Sequence, residues 1–269
     1  MPDRRASPQG PEAVAIAAVR RLAPLLALLL VGCGSAASTH FTVKSRLVGR
    51  SLEQAVILPS RETKGRPLLV LLHGRSSTPD DMARRSIAKA VDRLGTRAPV
   101  VLLANGGNHS YYHDRAEGRW GSYILREAIP AANRKFHLDR RRVAIGGFSM
   151  GAFGALDLAR YRRFCAVGGH SAAMWRTGGE TPAGAFDDAE DFERNDIIGA
   201  VRSNPHLYRG ARIWIDVGTE DPFRGADTEL ARLLPQARFR LWRGGHEISY
   251  FDDHAVEILR FYANALRRC

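Results

Sequence analysis

Lysine is nearly absent from this 269-residue chain: only four of its 40 basic residues are lysines (Lys44, Lys64, Lys89 and Lys135) and the remaining 36 are arginines. Acidic residues number 28, so the net charge is +12. Three cysteines are too few for a disulfide-dense mini-scaffold, and 26 glycines with 13 prolines are too few for a collagen-like or low-complexity chain. No internal repeat is present, which excludes a solenoid or propeller array. The longest apolar run, Leu22 to Val31, has ten residues and is too short to span a bilayer as a mature helix. Glycines at 147, 151 and 154 miss the G-x-G-x-x-G spacing of a dinucleotide fingerprint. With 45% hydrophobic and 25% charged residues, the chain has ordinary globular composition and is not wholly disordered.

The basic balance fits nucleic acid, an anionic membrane surface or acidic substrates. The N-terminus narrows this. Arg20 and Arg21 precede the apolar run, which ends in Leu30-Val31-Gly32-Cys33 and continues as Gly34-Ser35-Ala36-Ala37-Ser38-Thr39. This pattern resembles a bacterial lipobox. It implies a lipoprotein signal peptide over 1–32, a lipidated Cys33, a linker over 33–40 and one domain over 41–269. An ordinary signal peptide containing a cysteine is the alternative, and the long stretch before Arg20 points to a start further in. The expected location is the extracytoplasmic face of the cell envelope, lipid-anchored, or otherwise secreted. Membrane contact through the anchor is then expected and nucleic acid is not. Cys165 and Cys269 are expected to be two separate thiols, because one lies in an apolar stretch and the other is the last residue.

From residue 41 onward, strand and helix patterns alternate. Strands are expected at Phe41–Val48, Leu52–Leu58, Pro67–His73, Pro99–Ala104, Arg142–Phe148, Phe164–Val167, Arg212–Val217 and Arg238–Trp242. Thr78-Pro79-Asp80-Asp81 reads as a helix start. Trp120–Phe136 has mostly helical apolar spacing, with Pro130 expected to kink it. Helices are also expected after Ser149 and over Phe251–Leu266. Residues 176–205 break the alternation and read as an inserted loop or partial lid. The units imply an α/β fold, a mostly parallel sheet covered by helices on both faces.

Gly147-Phe148-Ser149-Met150-Gly151 matches G-x-S-x-G between an apolar strand and a small-residue helix. Such a strand-to-helix turn projects the serine hydroxyl above the sheet edge, at a helix N-terminus that favours developing negative charge. The weak hydroxyl nucleophile needs a base. After such an elbow the acid and then the histidine follow in chain order. His246, in Gly244-Gly245-His246-Glu247 before the last helix, is the expected base, and His254 is expected to lie within that helix. Asp221 is the expected acid, in the loop after a strand; Asp216 and Asp227 are further candidates and Glu220 is its nearest competitor. The backbone amides of Met150 and Arg75 are the expected oxyanion donors. His73 is expected to bond backbone near the nucleophile loop. His109, Tyr111 and Trp175 are possible pocket residues. His109 and His113 stand at i, i+4, but without a helix or a third ligand no metal is expected, and no cofactor is needed.

His73-Gly74, Asn105-Gly-Gly-Asn-His109, Trp120, the Gly147–Gly151 elbow, Gly169-His-Ser-Ala-Ala-Met-Trp175, the Asp221 loop and Gly245-His246 together resemble the "putative esterase" family of α/β-hydrolases, over about residues 65 to 265. That family includes esterase D (S-formylglutathione hydrolase), feruloyl and enterochelin esterases and antigen 85 mycolyltransferases. The resemblance implies the α/β-hydrolase fold, a Ser149–Asp221–His246 triad and an oxyanion hole from the backbone of Arg75 and Met150. Some family members use Glu as the acid, which keeps Glu220 open, and Arg75 stands where several relatives are apolar. The expected activity is an exported serine esterase acting on a small-molecule, lipid or polysaccharide ester. Acyl transfer to a sugar or lipid hydroxyl and a non-catalytic envelope-binding lipoprotein are the alternatives.

Overall fold

The computed structural model describes residues 36–59 and 62–269. The signal-peptide assignment, Cys33 and the first linker residues lie outside the described residues. Eight strands form the main sheet: β1 (Ala37–Lys44), β2 (Ser51–Leu58), β3 (Leu68–Leu72), β4 (Val100–Ala104), β5 (Val143–Ser149), β6 (Ala166–Ala172), β7 (Arg212–Gly218) and β8 (Arg238–Trp242). Their spatial order is β1-β2-β4-β3-β5-β6-β7-β8. The β1–β2 and β2–β4 pairs are antiparallel and all others are parallel. This is the mostly parallel α/β arrangement expected from the sequence.

The helices are α1 (Pro79–Met82), α2 (Arg85–Leu94), α3 (Trp120–Tyr123), α4 (Ile129–Lys135), α5 (Met150–Leu158), α6 (Ala189–Asn195), α7 (Ile197–Ser203), α8 (Arg224–Leu233) and α9 (Ile248–Arg267). The continuous apolar run of β3 serves two cores at once. Leu68, Val70 and Leu72 join the cluster beneath α5, whereas Leu69 and Leu71 face α2 and α9. A strand buried on both faces has no polar alternation, which is why the run reads as uninterrupted. Helix α5 is buried along its whole length, so it too lacks an amphipathic pattern. At α1, Thr78 caps the amide of Asp81 and Asp81 accepts from the Thr78 amide, a reciprocal capping box with Pro79 at the first helical position.

Four sequence expectations need correction. The first strand begins at Ala37, inside the range read as linker, and ends at Lys44 rather than Val48. Its antiparallel register against β2 leaves Arg46-Leu47-Val48 in the bend that joins the strands, closed by the Ser45 amide donating to Arg50 O at 3.0 Å. The sixth strand runs Ala166–Ala172, later and longer than Phe164–Val167, because Gly168, Gly169 and His170 pair with β5 and β7 on either side. Pro130 does not simply kink one helix. A π turn over Ile124–Ala128 separates α3 from α4, widening the backbone just ahead of the ring.

The fourth correction concerns the cysteines: Cys165 and Cys269 form a disulfide, with Cα atoms 5.6 Å apart. The 20-residue α9 is packed along its length and carries the chain end to Cys165. Its last turn (Ala265, Leu266) shares a core cluster with Cys165 and Ala166 at the start of β6. Among the described residues no helix is long and apolar enough to cross a membrane.

The bridge joins residues 104 apart, so it restricts a large loop of the unfolded chain. Replacing both cysteines with serine is expected to lower unfolding free energy by about 2–5 kcal/mol. Urea titrations of the two proteins, followed by circular dichroism, measure this; coincident midpoints would refute it.

Candidate active site

Ser149 ends β5 and precedes α5 with φ 56° and ψ −119°, outside the regions open to an unstrained L-residue. The chain can adopt this turn only because two neighbours lack side chains. A Cβ at Gly151 would overlap the Leu72 carbonyl oxygen, and one at Gly147 would lie 2.7 Å from the same oxygen while overlapping the Gly151 backbone. Strand β3 therefore crosses the elbow at a distance only glycine permits.

The loop after β3 brings Gly74 against the nucleophile: a Cβ there would stand 3.5 Å from Ser149 Cβ. Arg75 follows and lines the same cleft as Ser149. His73 is buried. Its Nδ1 is 2.9 Å from Gly74 O and its Nε2 accepts from the Gly106 amide at 3.1 Å, so the ring is the neutral tautomer that donates through Nδ1. It ties the loop after β3 to the loop after β4, as expected for a structural histidine. Burial holds its pKa below the ordinary histidine value, offset in part by the bond to Gly74 O.

The loops after β7 and β8 carry the other two groups. Thr219 N donates to Trp242 O at 2.8 Å and Glu220 N to Gly244 O at 2.9 Å, knitting the two loops together. Asp221 Oδ2 then lies 2.9 Å from His246 Nδ1, and His246 Nε2 lies 2.8 Å from Ser149 Oγ. A carboxylate can only accept, so Nδ1–H donates to Asp221 and Nε2 accepts from the serine hydroxyl. Asp221 Oδ1 accepts from the Phe223 amide at 2.7 Å. Burial pushes the Asp221 carboxyl up, but His246, the Phe223 amide and the Ser171 hydroxyl outweigh it and leave the group below the usual carboxylate range. The imidazole is held between Phe148 (ring centroids 5.2 Å apart) and Phe223 (4.9 Å).

Thus the structure brings Ser149, His246 and Asp221 into one hydrogen-bonded chain. Glu220, the competing acid, is exposed and contributes its backbone amide. Asp216 is buried in β7, bonded to His170 Nδ1 at 2.5 Å and to the Tyr250 hydroxyl at 3.0 Å. His254 lies in α9, stacked on Trp242. Asp227, the remaining acid candidate, is buried in α8 and accepts from the Ala172 amide at 2.9 Å.

A cleft of about 700 Å³ opens over Ser149 and His246. Tyr111, Trp175, Phe148 and Phe223 form its apolar walls, and Arg75 and Glu180 bring opposite charges to it. Tyr111 and Trp175 meet edge to face, 5.3 Å between centroids. His109 does not line the cleft; its ring lies beside Gly184. Successive left-handed residues, Tyr111 (φ 50°) and Tyr112 (φ 61°), turn the chain so that Tyr111 takes that place. His113 is occupied by Asp191, 3.0 Å from its Nε2. One group among the described residues, His40, Glu53 and Asp80, has ligand atoms near enough to share a metal ion; all three are exposed and none lines the cleft. Phe148 and Phe223 had no signal beyond adjacency to the elbow and to Asp221-Pro222.

A family model described as "Putative esterase" matches residues 45–258. Esterase MT1326 of Mycobacterium tuberculosis (strain CDC 1551 / Oshkosh) and Esterase Rv1288 of M. tuberculosis (strain ATCC 25618 / H37Rv) are each 25% identical over 237 residues, 75% of this chain and 51% of theirs. The chain therefore spans about half the length of these relatives. Among solved structures, a ferulic acid esterase superposes with TM-score 0.74 at 23% identity, covering 86% of this chain and 98% of the other. The Staphylococcus aureus fluorophosphonate-binding serine hydrolase FphF gives TM-score 0.72 at 20% identity, covering 86% and 100%. An S-formylglutathione hydrolase from Agrobacterium tumefaciens gives 0.72 at 19%, covering 86% and 96%. These superpositions show the α/β-hydrolase fold.

The depressed pKa of His73 has a consequence for stability. Protonating this ring breaks the Gly106 bond, so the contribution is present in full above the unfolded-state value of 6.5 and is lost as pH falls below it. Urea midpoints measured downward from pH 7.5 should fall below 6.5, with a shallower slope in His73→Gln; an equal slope in the variant would refute the assignment.

Proposed function

This chain belongs to the "Putative esterase" family, and from that premise we propose that it is an exported serine esterase that hydrolyses carboxylic esters through an acyl-enzyme. The observation that carries the reading is the Ser149–His246–Asp221 hydrogen-bond chain at a cleft with aromatic walls. His246 Nε2 takes the hydroxyl proton as Ser149 Oγ attacks the ester carbonyl. Asp221 stays ionised, holds the imidazole in the correct tautomer and stabilises its cationic form. The amides of Met150, at the start of α5, and Arg75 hold the oxyanion. His246 returns its proton to the departing alcohol, and water activated by the same nitrogen releases the acid.

The His246 side chain is 24% exposed, so the imidazole is open to a water molecule as the acceptor that completes hydrolysis. The aromatic walls suit an apolar acyl or alcohol group. Export and lipid anchoring at Cys33 are part of the proposal. The Cys165–Cys269 bridge supports export, because such bonds persist in oxidising compartments.

Ser149→Ala and His246→Ala are each expected to lower kcat on p-nitrophenyl esters by several orders of magnitude, and Asp221→Asn by about 10⁴-fold or less. Glu220→Gln should change it less than about twofold, because only its backbone contributes. A fluorophosphonate probe should label the wild-type chain and not Ser149→Ala. An unlabelled wild-type chain would overturn the esterase reading in favour of a non-catalytic binding role. A loss in Glu220→Gln larger than in Asp221→Asn would overturn the acid assignment.

A further inference from the structure

Away from the cleft, three side chains with metal-ligating atoms meet where β1, β2 and α1 come together. One ligand atom each from His40, Glu53 and Asp80 lies within 4.8 Å of the other two. His40 Nε2 is 2.6 Å from Asp80 Oδ1. A carboxylate can only accept, so the imidazole donates to it.

Strand register explains the meeting. In the antiparallel β1–β2 pair His40 faces Ala55 and Thr42 faces Glu53, so His40 and Glu53 are diagonal neighbours on one face of the sheet. Long side chains reach one another across such a diagonal. Helix α1 comes over the same face, where its Met82 shares a core cluster with Ala55. The capping box then decides which acid of α1 is available. Asp81 is occupied by the amide and hydroxyl of Thr78, whereas Asp80 bonds only to His40. Among the described residues neither Glu53 nor Asp80 is paired with an Arg or Lys. Two carboxylates held this close repel, and one imidazole cannot cancel both charges. A divalent cation on a neutral imidazole does.

We infer that His40 Nε2 and the carboxylates of Glu53 and Asp80 form a divalent metal site, suited to Zn²⁺, that fastens the edge strand β1 to α1. To ligate, Nε2 gives up its hydrogen, to Nδ1 or to solvent, and the cation takes its place between the ring and Asp80. Zinc bonds to imidazole nitrogen and carboxylate oxygen are about 2.0–2.2 Å long, which sets tetrahedral ligands about 3.3 Å apart. All three residues are exposed, so core packing does not oppose the rotations that reach this spacing. Water completes the fourth position, as in zinc sites with three protein ligands. The imidazole disfavours Mg²⁺ and Ca²⁺, which take oxygen ligands. Asp81 and Met82, the next residues of α1, line the cleft over Ser149, so the metal braces one cleft wall from outside. The assignment does not depend on the esterase reading.

Titration calorimetry of the chelator-treated whole chain with ZnCl₂ should show one saturable site. His40→Ala, Glu53→Gln and Asp80→Asn should each weaken it at least about 10-fold, because even an outer partner of a metal ligand is worth that much. Saturating zinc should raise the thermal midpoint of the wild type, by binding only the folded state, and leave that of His40→Ala in place. The same concentration of MgCl₂ should move neither. X-ray absorption at the zinc edge should show a nitrogen and oxygen shell at about 2.0 Å with one imidazole and no sulfur. Absence of saturable binding up to about 1 mM zinc overturns the inference. So does unchanged affinity in all three variants, or a spectrum containing sulfur or several imidazoles. The absorption measurement uses the wild type alone, so it tests the ligand set even if a variant fails to fold.

Discussion

At residue 149 the backbone turns through φ 56° and ψ −119°, a conformation that costs an L-residue about 1–3 kcal/mol. The local sequence alone would not hold it. It persists because β5 is hydrogen-bonded between β3 and β6, and because α5 is buried on every side immediately after the turn. The Leu72 carbonyl presses on the positions of Gly147 and Gly151, so any side chain there would push the crossing strands apart. Everything chemical about the site follows from this constraint. The hydroxyl is lifted out of the sheet, the amide of the next residue opens a helix, and the imidazole at 246 finds Oγ at 2.8 Å.

The parallel strands then deliver the remaining parts to one edge. Loops following β3, β4, β7 and β8 all start at the carboxyl ends of their strands, where ligands bind in open α/β sheets. His73 joins the first two of these loops and the backbone pairs Thr219–Trp242 and Glu220–Gly244 join the last two. Asp221 and His246 are thus carried on loops braced against one another, which holds the imidazole in place.

Three carboxylates lie close together beneath this edge, and their surroundings give them different tasks. Asp221 has the imidazole and a backbone amide and is held down. Asp227 has a single amide, is wholly buried beside other carboxylates, and is pushed up. Asp216 is tied into the core on the α9 side by His170 and Tyr250, while the Tyr262 hydroxyl, 2.8 Å from His170 Nε2, closes that network. Identical side chains on neighbouring segments are distinguished by donors and burial rather than by charge alone.

The elbow at Ser149, the buried strands at 68–72, 100–104 and 143–149, and the capped helix start at Thr78 were all readable from residue order, because each depends on its own few neighbours: glycine spacing, an unbroken apolar run, a hydroxyl three residues ahead of an acid. His246 and Asp221 were found by chain order and loop position. What local pattern could not encode are the contacts that join distant segments: 97 residues between Ser149 and His246, 104 between the bridged cysteines. The disulfide, the exclusion of His109 from the cleft in favour of Tyr111 and the aromatic clamp on His246 emerge when strand register and helix docking bring these segments within van der Waals range. No residue carries that information by itself, because it belongs to the packing of the whole sheet and its covering helices.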